Sequence, residues 1–187
     1  MESVMQIGES AFAECTSLES IAISDSVTHI RESTFAGCVS LSHVNIGESV
    51  REIGADAFCE CTSLVDLIIG DSVTHIRQGA FWGCSSLESI TLGESVAEIG
   101  ADAFRWCTSL KSVNMCESVE IIGECAFSGC CSLESITIPH SVTDIEKNTF
   151  ENCRSLQNIT IPESLKHVFE DSDCAKITIS IQKKTTE

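Results

Sequence analysis

Residues 53 to 75 read IGADAFCECTSLVDLIIGDSVTH. Within them stand Cys59 and Cys61 one residue apart, His75, and the acids Asp56, Glu60, Asp66 and Asp71. Those are the residue types from which zinc sites, thiol nucleophiles and acid–base pairs are built. Twelve cysteines in 187 residues pose the question for the whole chain, because thiols at that density usually mean disulfides or bound metal. A catalytic or metal site needs a constellation that occurs once, with different residues in different roles. The first test is therefore whether these residues are individuals or members of a repeat.

They are members of a repeat. Cys15, Cys38, Cys61, Cys84, Cys107, Cys130 and Cys153 fall 23 residues apart, with Phe12, Phe35, Phe58, Phe81, Phe104, Phe127 and Phe150 three residues before them. Ile7 to Ile145 and Leu18 to Leu156 keep the same step, so each unit reads I-G-x-x-A-F-x-x-C-x-S-L-x-x-I-x-I-x-x-S-V-x-x. A longer period lies over this one, since T-H-I-R at 28 to 31 returns at 74 to 77, which suggests duplication of a 46-residue pair.

Each candidate chemistry then shrinks. An inward ladder cysteine behaves as a small hydrophobe. Seven thiols at one repeat position, each with two equivalent neighbours, cannot all pair, so they are expected reduced and structural. The off-ladder Cys59, Cys116, Cys125, Cys131 and Cys174 are expected at the surface. Zinc wants spaced cysteine or histidine pairs. The chain offers only Cys59-Glu60-Cys61 and Cys130-Cys131, each with one member in the ladder. Asp25, Glu48, Asp71, Glu94, Glu117 and Glu163 form an acidic ladder with His140 in the remaining coil, and a stack of single carboxylates reads as a solvated edge rather than a calcium loop. The serine after each acid, Ser26 to Ser164, reads as a turn device. His29 and His75 are two repeats apart, or ~10 Å, too far to share an ion. No catalytic, metal or cofactor residue is assigned, and the chain reads as non-enzymatic.

The elements that carry these ladders follow from spacing. In S-L-E-S-I-T-L, residues 86 to 92, apolar Ile90 and Leu92 alternate with Ser89 and Thr91, the pattern of a strand with one buried face. Strands recurring every 23 residues must stack as a parallel sheet, ~4.8 Å apart. The segment S-V-x-x-I adds a second short strand, and A-F-x-x-C is expected as a single helical turn leading back. The fold class is thus an α/β, right-handed solenoid of about seven coils with one continuous core, ~35 to 40 Å long. Residues 1–6 are a partial repeat, 7–167 seven repeats, and 168–187, where the phenylalanine and the spacing are lost, a capping strand with a polar tail.

This repeat resembles the BspA-like leucine-rich repeats of the Treponema pallidum type, C-x-x-L-x-x-I-x-I-P-x-x-V-x-x-I-x-x-x-A-F, over roughly residues 4 to 167. Pro139 and Pro162 stand where that motif has proline, while Ser24, Gly47, Gly70, Gly93 and Cys116 replace it elsewhere. The resemblance implies a leucine-rich-repeat solenoid and a surface protein of bacteria or protists, some of which adhere to host or matrix proteins such as fibronectin and fibrinogen. Cell-surface or extracellular location is implied by the resemblance alone, since MESVMQIGES carries no signal-peptide pattern.

A partner class follows from charge. At a net charge of −17, from 28 acids against 11 bases, nucleic acid and anionic membranes are disfavoured, and no apolar run reaches the ~20 residues of a membrane span. What varies from coil to coil is the outward sheet face. One row runs Ser20, His43, Asp66, Ser89, Ser112, Ser135, Asn158, the next Ala22, Asn45, Ile68, Thr91, Asn114, Thr137, Thr160, and beside them lie Glu19, Ser42, Val65, Glu88, Lys111, Glu134, Gln157. From these, Ser20, His43, Asn45, Val65, Asp66, Ile68, Thr91, Lys111, Asn114, Thr137 and Asn158 are the candidate face for a protein ligand, and Trp82 and Trp106 a candidate aromatic patch. The alternative is a spacer or scaffold that self-associates through its coil ends.

Overall fold

The protein is described by a computed structural model covering residues 4–170 and 177–182. Two strands recur in each coil. The first series is β1 (Ser20–Ala22), β3 (His43–Asn45), β5 (Asp66–Ile68), β7 (Ser89–Thr91), β9 (Ser112–Asn114), β11 (Ser135–Thr137) and β13 (Asn158–Pro162). The second is β2 (His29–Ile30), β4 (Glu52–Ile53), β6 (His75–Ile76), β8 (Glu98–Ile99), β10 (Ile121–Ile122) and β12 (Asp144–Ile145). All their pairings are parallel and join residues 23 apart, such as Ser20 with His43 and Glu52 with His75. The second series makes one unbroken sheet, β2-β4-β6-β8-β10-β12, while the first is divided into β1-β3, β5-β7-β9 and β11-β13 followed by β14 (Thr178–Gln182).

The segment expected as a helical turn is instead a run of tight turns. Two residues per coil have positive φ, Asp56 (52°) and Glu60 (57°) in one coil, Asp102 (57°) and Trp106 (61°) two coils on, and a left-handed residue every few positions prevents a helix from propagating. The backbone donors are then free to bond between coils. Phe58 N–H donates to Ala80 O and Phe81 N–H to Ala103 O, both at 2.8 Å. The turn side of each coil is thereby tied to the next.

Inside, the phenylalanines stack face to face from Phe12 to Phe150, with centroids 5.1 to 5.9 Å apart and planes within 13° of parallel. Between them lie the buried isoleucine, leucine and valine ladders. A coil cannot hide this edge alone, and stacking removes it from water at ~25 cal/mol per Å² of apolar surface. At the C-terminal end a 3-10 turn, Glu163–Leu165, leads into a short helix, α1 (Lys166–Glu170), which the sequence pattern did not announce. β14 then pairs in parallel with β13, Asn158 against Thr178, a step of 20 residues rather than 23. Ile177 and Ile179 pack against the core while Ile181 is exposed. The remainder of the expected cap, including Cys174, lies outside the described residues.

Candidate functional site

The first two outward rows lie on the first series of strands, where the period-2 pattern turns their side chains away from the core, and the third, Glu19 to Gln157, lies one residue ahead of each strand. The three rows run side by side, and the polar members are tied along the solenoid. Ser89 Oγ donates to Asp66 Oδ1 at 2.6 Å, Lys111 Nζ pairs with Glu88 Oε2 at 2.8 Å, and Ser42 Oγ donates to Glu19 O at 3.2 Å. Ile68, 75% exposed, and Val65, 40% exposed, form the apolar spot. Ser20, Asn45, Thr91, Ser112, Thr137 and Asn158 are likewise on this surface, though Ser89 and Thr160 are only half-exposed.

The division of the sheet adds what the rows did not show. Ladder pairing stops between β3 and β5 and again between β9 and β11. The second seam carries a groove of about 320 Å³ lined by Lys111, Asn114, Met115, Ser135, Thr137 and their neighbours. The apolar spot on β5 borders the first seam. On the N-terminal side of each seam the strand reads Val-Asn, Val44-Asn45 and Val113-Asn114, and both valines are half-buried where Leu67, Ile90 and Ile136 are fully buried. A shorter inward side chain seats its strand less firmly, and this substitution was the signal available in the sequence.

The chemically suggestive ladders have structural roles. The thiol of each ladder cysteine from Cys38 on donates to the phenylalanine carbonyl of the preceding coil: Cys38 to Phe12 (3.0 Å), Cys61 to Phe35 (3.3 Å), Cys84 to Phe58 (3.2 Å), Cys107 to Phe81 (3.3 Å), Cys130 to Phe104 (3.3 Å) and Cys153 to Phe127 (3.1 Å). The donor must keep its proton. Burial holds it there, pushing Cys61 up to about 12 and Cys84, Cys107 and Cys130 well above the ordinary thiol range. Cys15 is exposed, whereas the off-ladder Cys116, expected at the surface, is buried. It occupies the motif's proline position, with Sγ 3.0 Å from Ser118 Oγ and 3.6 Å from Val96 O. Cys59, Cys125 and Cys131 are half-buried.

The acidic ladder lies at the first central position of a turn whose second is the repeated serine. Asp25 Oδ1 accepts the Glu48 N–H (2.9 Å), Asp71 Oδ1 the Glu94 N–H (3.1 Å) and Glu117 Oε2 the His140 N–H (3.2 Å), so these carboxylates tie one turn to the next. On the second sheet His29, Glu52, His75 and Glu98 stand in one cross-strand row. Arg77 bridges Glu52 (2.7 Å) and Glu98 (3.5 Å), and its hydrogen bond holds the Glu52 carboxyl below its ordinary value. An open groove of about 520 Å³ beside it is lined by Glu9, His29, Arg31, Glu52, Gly54 and Arg77 among others. Among the described residues no three His, Cys, Asp or Glu side chains converge as metal ligands.

Trp82 and Trp106 stand in adjacent coils on the turn side, away from the sheet face. The phenylalanines beside them stack with each other, and neither indole belongs to the core cluster. Trp106 is 39% exposed and Trp82 half-buried.

A repeated β-turn-β coil with phenylalanine, leucine and cysteine ladders inside and variable polar rows outside defines a leucine-rich-repeat solenoid. The chain belongs to the family of BspA type leucine rich repeat regions, which matches residues 1–105 and 74–187 as six copies. Among solved structures it is similar to the leucine rich repeat protein of T. pallidum, at 32% identity and TM-score 0.74, over 86% of this chain and 72% of that one. It is also similar to a leucine rich cell surface protein of Faecalibacterium prausnitzii A2-165, at 25% identity and TM-score 0.60, over 94% of this chain. A leucine-rich repeat protein of Bacteroides ovatus matches at 26% identity and TM-score 0.57, over 92% of this chain. The chain spans 63% of the F. prausnitzii protein and 56% of the B. ovatus one. No curated protein gives a significant match.

Proposed function

We propose that the chain is a non-enzymatic module that binds a protein ligand through the outward face of its first sheet, as part of a cell-surface protein. The observation that carries this is the apolar spot of Val65 and Ile68, exposed beside a seam on a face otherwise small and polar. A large apolar side chain left 75% exposed on a rigid sheet gains by being covered. The ladder cysteines from Cys38 on bond carbonyls instead, and Asp25, Asp71 and Glu117 of the acidic ladder bond the turns. The surface location rests on the family and on the F. prausnitzii relative being a cell surface protein.

The test is binding of the purified chain to immobilised extracellular proteins, fibronectin and fibrinogen among them, beside a Val65→Lys, Ile68→Lys variant. The reading expects the chain to bind and the variant to lose at least tenfold in affinity with its melting temperature unchanged. Failure of both to bind while both stay folded would sink it. The scaffold reading would then take its place, with β1 and β14 as the outermost strands of the first series among the described residues and Val4 and Met5 exposed. Mass rising with concentration in light scattering would support that second reading.

A further inference from the structure

We propose that the turn side carries a second binding site, in which Trp82 and Trp106 together with the Glu60 carboxylate receive the lysine or arginine side chains of a basic segment of a partner protein. The site grows out of a regularity of the 46-residue period. The second left-handed position of successive coils reads Glu14, Gly37, Glu60, Gly83, Trp106, Gly129, Asn152, so that through Gly129 a side chain alternates with glycine. The side chain of one coil rests on the glycine of the next. A Cβ added to Gly37 would collide with the Glu14 carboxylate and one on Gly83 would touch Glu60 Cγ at 3.5 Å, while one on Gly129 would meet the Trp106 ring at 2.5 to 3.0 Å. Trp106 thus takes a place that in earlier coils belongs to an exposed carboxylate.

The residues of the site are consecutive rungs. Glu60 N–H donates to Trp82 O (2.7 Å), Gly83 N–H to Arg105 O (2.8 Å) and Trp106 N–H to Ser128 O (2.8 Å). Glu60 and Trp106 are therefore two coils apart, ~10 Å between backbones, with Trp82 on the rung between them. The Glu60 side chain rests on Gly83 next to Trp82, and the Trp106 ring on Gly129 two coils further on, so a basic segment laid along the coils meets the carboxylate and the indoles in turn, each ring attracting a cation within ~6 Å of its centre. The local charge favours it. Arg105 is already tied to Asp102 at 2.9 Å, whereas Asp56 and Glu60 have no ion partner among the described residues, and the whole chain carries −17. The tryptophans lie on an open side and line neither groove described above, so a lone small cation would remain hydrated there. A basic peptide segment adds the further contacts that an open site needs, and Trp and Arg are the side chains that most often carry such interfaces.

Trp82 and Trp106 are the two tryptophans of a chain without tyrosine, so its indole emission reports on this site directly. Hexalysine titrated at low ionic strength is expected to change the emission saturably, and hexaglutamate to leave it unmoved. By calorimetry, Trp106→Leu should weaken hexalysine binding by about 3- to 30-fold, Trp106→Phe by less, and Glu60→Gln by a few-fold. Ile68→Ser, on the sheet face, should leave it unchanged, which separates this site from the one proposed above. Melting curves matching the parent qualify each variant, and the phenylalanine variant keeps the test open should the leucine one misfold. Equal affinity of the parent and both Trp106 variants would reduce the interaction to attraction by net charge and overturn the proposal. Displacement of hexalysine by an equal concentration of tetramethylammonium would overturn it too, marking a small-cation site.

Discussion

Replacing Phe81 by alanine tests the idea that the phenylalanine column, more than any single strand, holds the coils together. Phe81 is fully buried, with Phe58 and Phe104 each 5.3 Å away and parallel to it within 3°. Its truncation removes two stacked contacts and leaves a void that rigid coils above and below cannot collapse into. That places the cost near the upper end of the phenylalanine range, about 4 to 5 kcal/mol. Phe12 is the comparison, because it is half-buried and has one ring neighbour, Phe35 at 5.3 Å. Phe12→Ala should cost about 2 kcal/mol, mostly transfer of a partly covered ring. The two variants should also differ in form. A defect in a central coil weakens the coupling between the halves, so Phe81→Ala is expected to broaden or split the urea transition while Phe12→Ala frays one end and keeps it single. Circular dichroism follows the whole array and tryptophan emission follows the coils beside Phe81. Equal losses for the two variants, with one sharp transition each, would refute the column as the source of cooperativity.

Other expectations follow from the same geometry. Gly93→Ala should destabilise by about 1 to 3 kcal/mol, because a Cβ there collides with the Gly70 carbonyl, while Gly70→Ala, with open space beyond the seam, should shift stability by less than about 0.5 kcal/mol; chemical denaturation of the pair decides it. Glu52 has its folded-state pKa lowered by the Arg77 hydrogen bond, so its contribution is present above the ordinary carboxyl value of 4.5 and fades as pH falls through the lower folded value. The difference in denaturation midpoint between the parent and Glu52→Gln should therefore be visible at neutral pH and vanish at strongly acid pH, and a difference independent of pH would contradict the pairing. Thiol labelling of the native chain should modify Cys15 first, whereas Cys38, Cys61, Cys84, Cys107, Cys116, Cys130 and Cys153, all buried, should react on the timescale of unfolding. Fast native labelling at Cys84 would show that the coils open far more readily than a continuous core allows.

The solenoid was legible because a 23-residue period forces every ladder residue into one environment. Once Phe, Cys and Leu recur at that step, stacking and a parallel sheet follow with little freedom. The turn side was less legible. A-F-x-x-C has the spacing of a helical turn, and only the pairing of backbone donors with the next coil, invisible in one unit, makes two left-handed residues per coil the better solution. Cys116 was misplaced for a related reason. It was judged by departure from the cysteine ladder, yet it stands on another ladder, the proline position, where Pro139 and Pro162 are buried as well. The seams escaped because they depend on a difference of one methylene between valine and its larger equivalents. The candidate face rows emerged from alternation alone, but alternation says which residues point outward and nothing about which of them a ligand covers.

That limit also indicates where binding must be encoded in such a chain. A repeat that ties its ladder cysteines from Cys38 on to carbonyls and Asp25, Asp71 and Glu117 to turns has fewer positions left for recognition, among them those where one coil departs from the others. Some of these departures are single, as at the exposed Val39 and Ile121, and others fall in pairs. Val65 and Ile68 break the polar rows beside a seam, and Trp82 and Trp106 replace small or acidic residues in adjacent coils on the opposite side. A large apolar side chain exposed singly offers a partner one contact. Two pairs, each confined to neighbouring positions of a rigid lattice, instead give surfaces whose spacing is set by the ~4.8 Å rise of the coils. On the proposed function, a partner would read distances the scaffold has already set, and little of its binding free energy would be lost to ordering the solenoid.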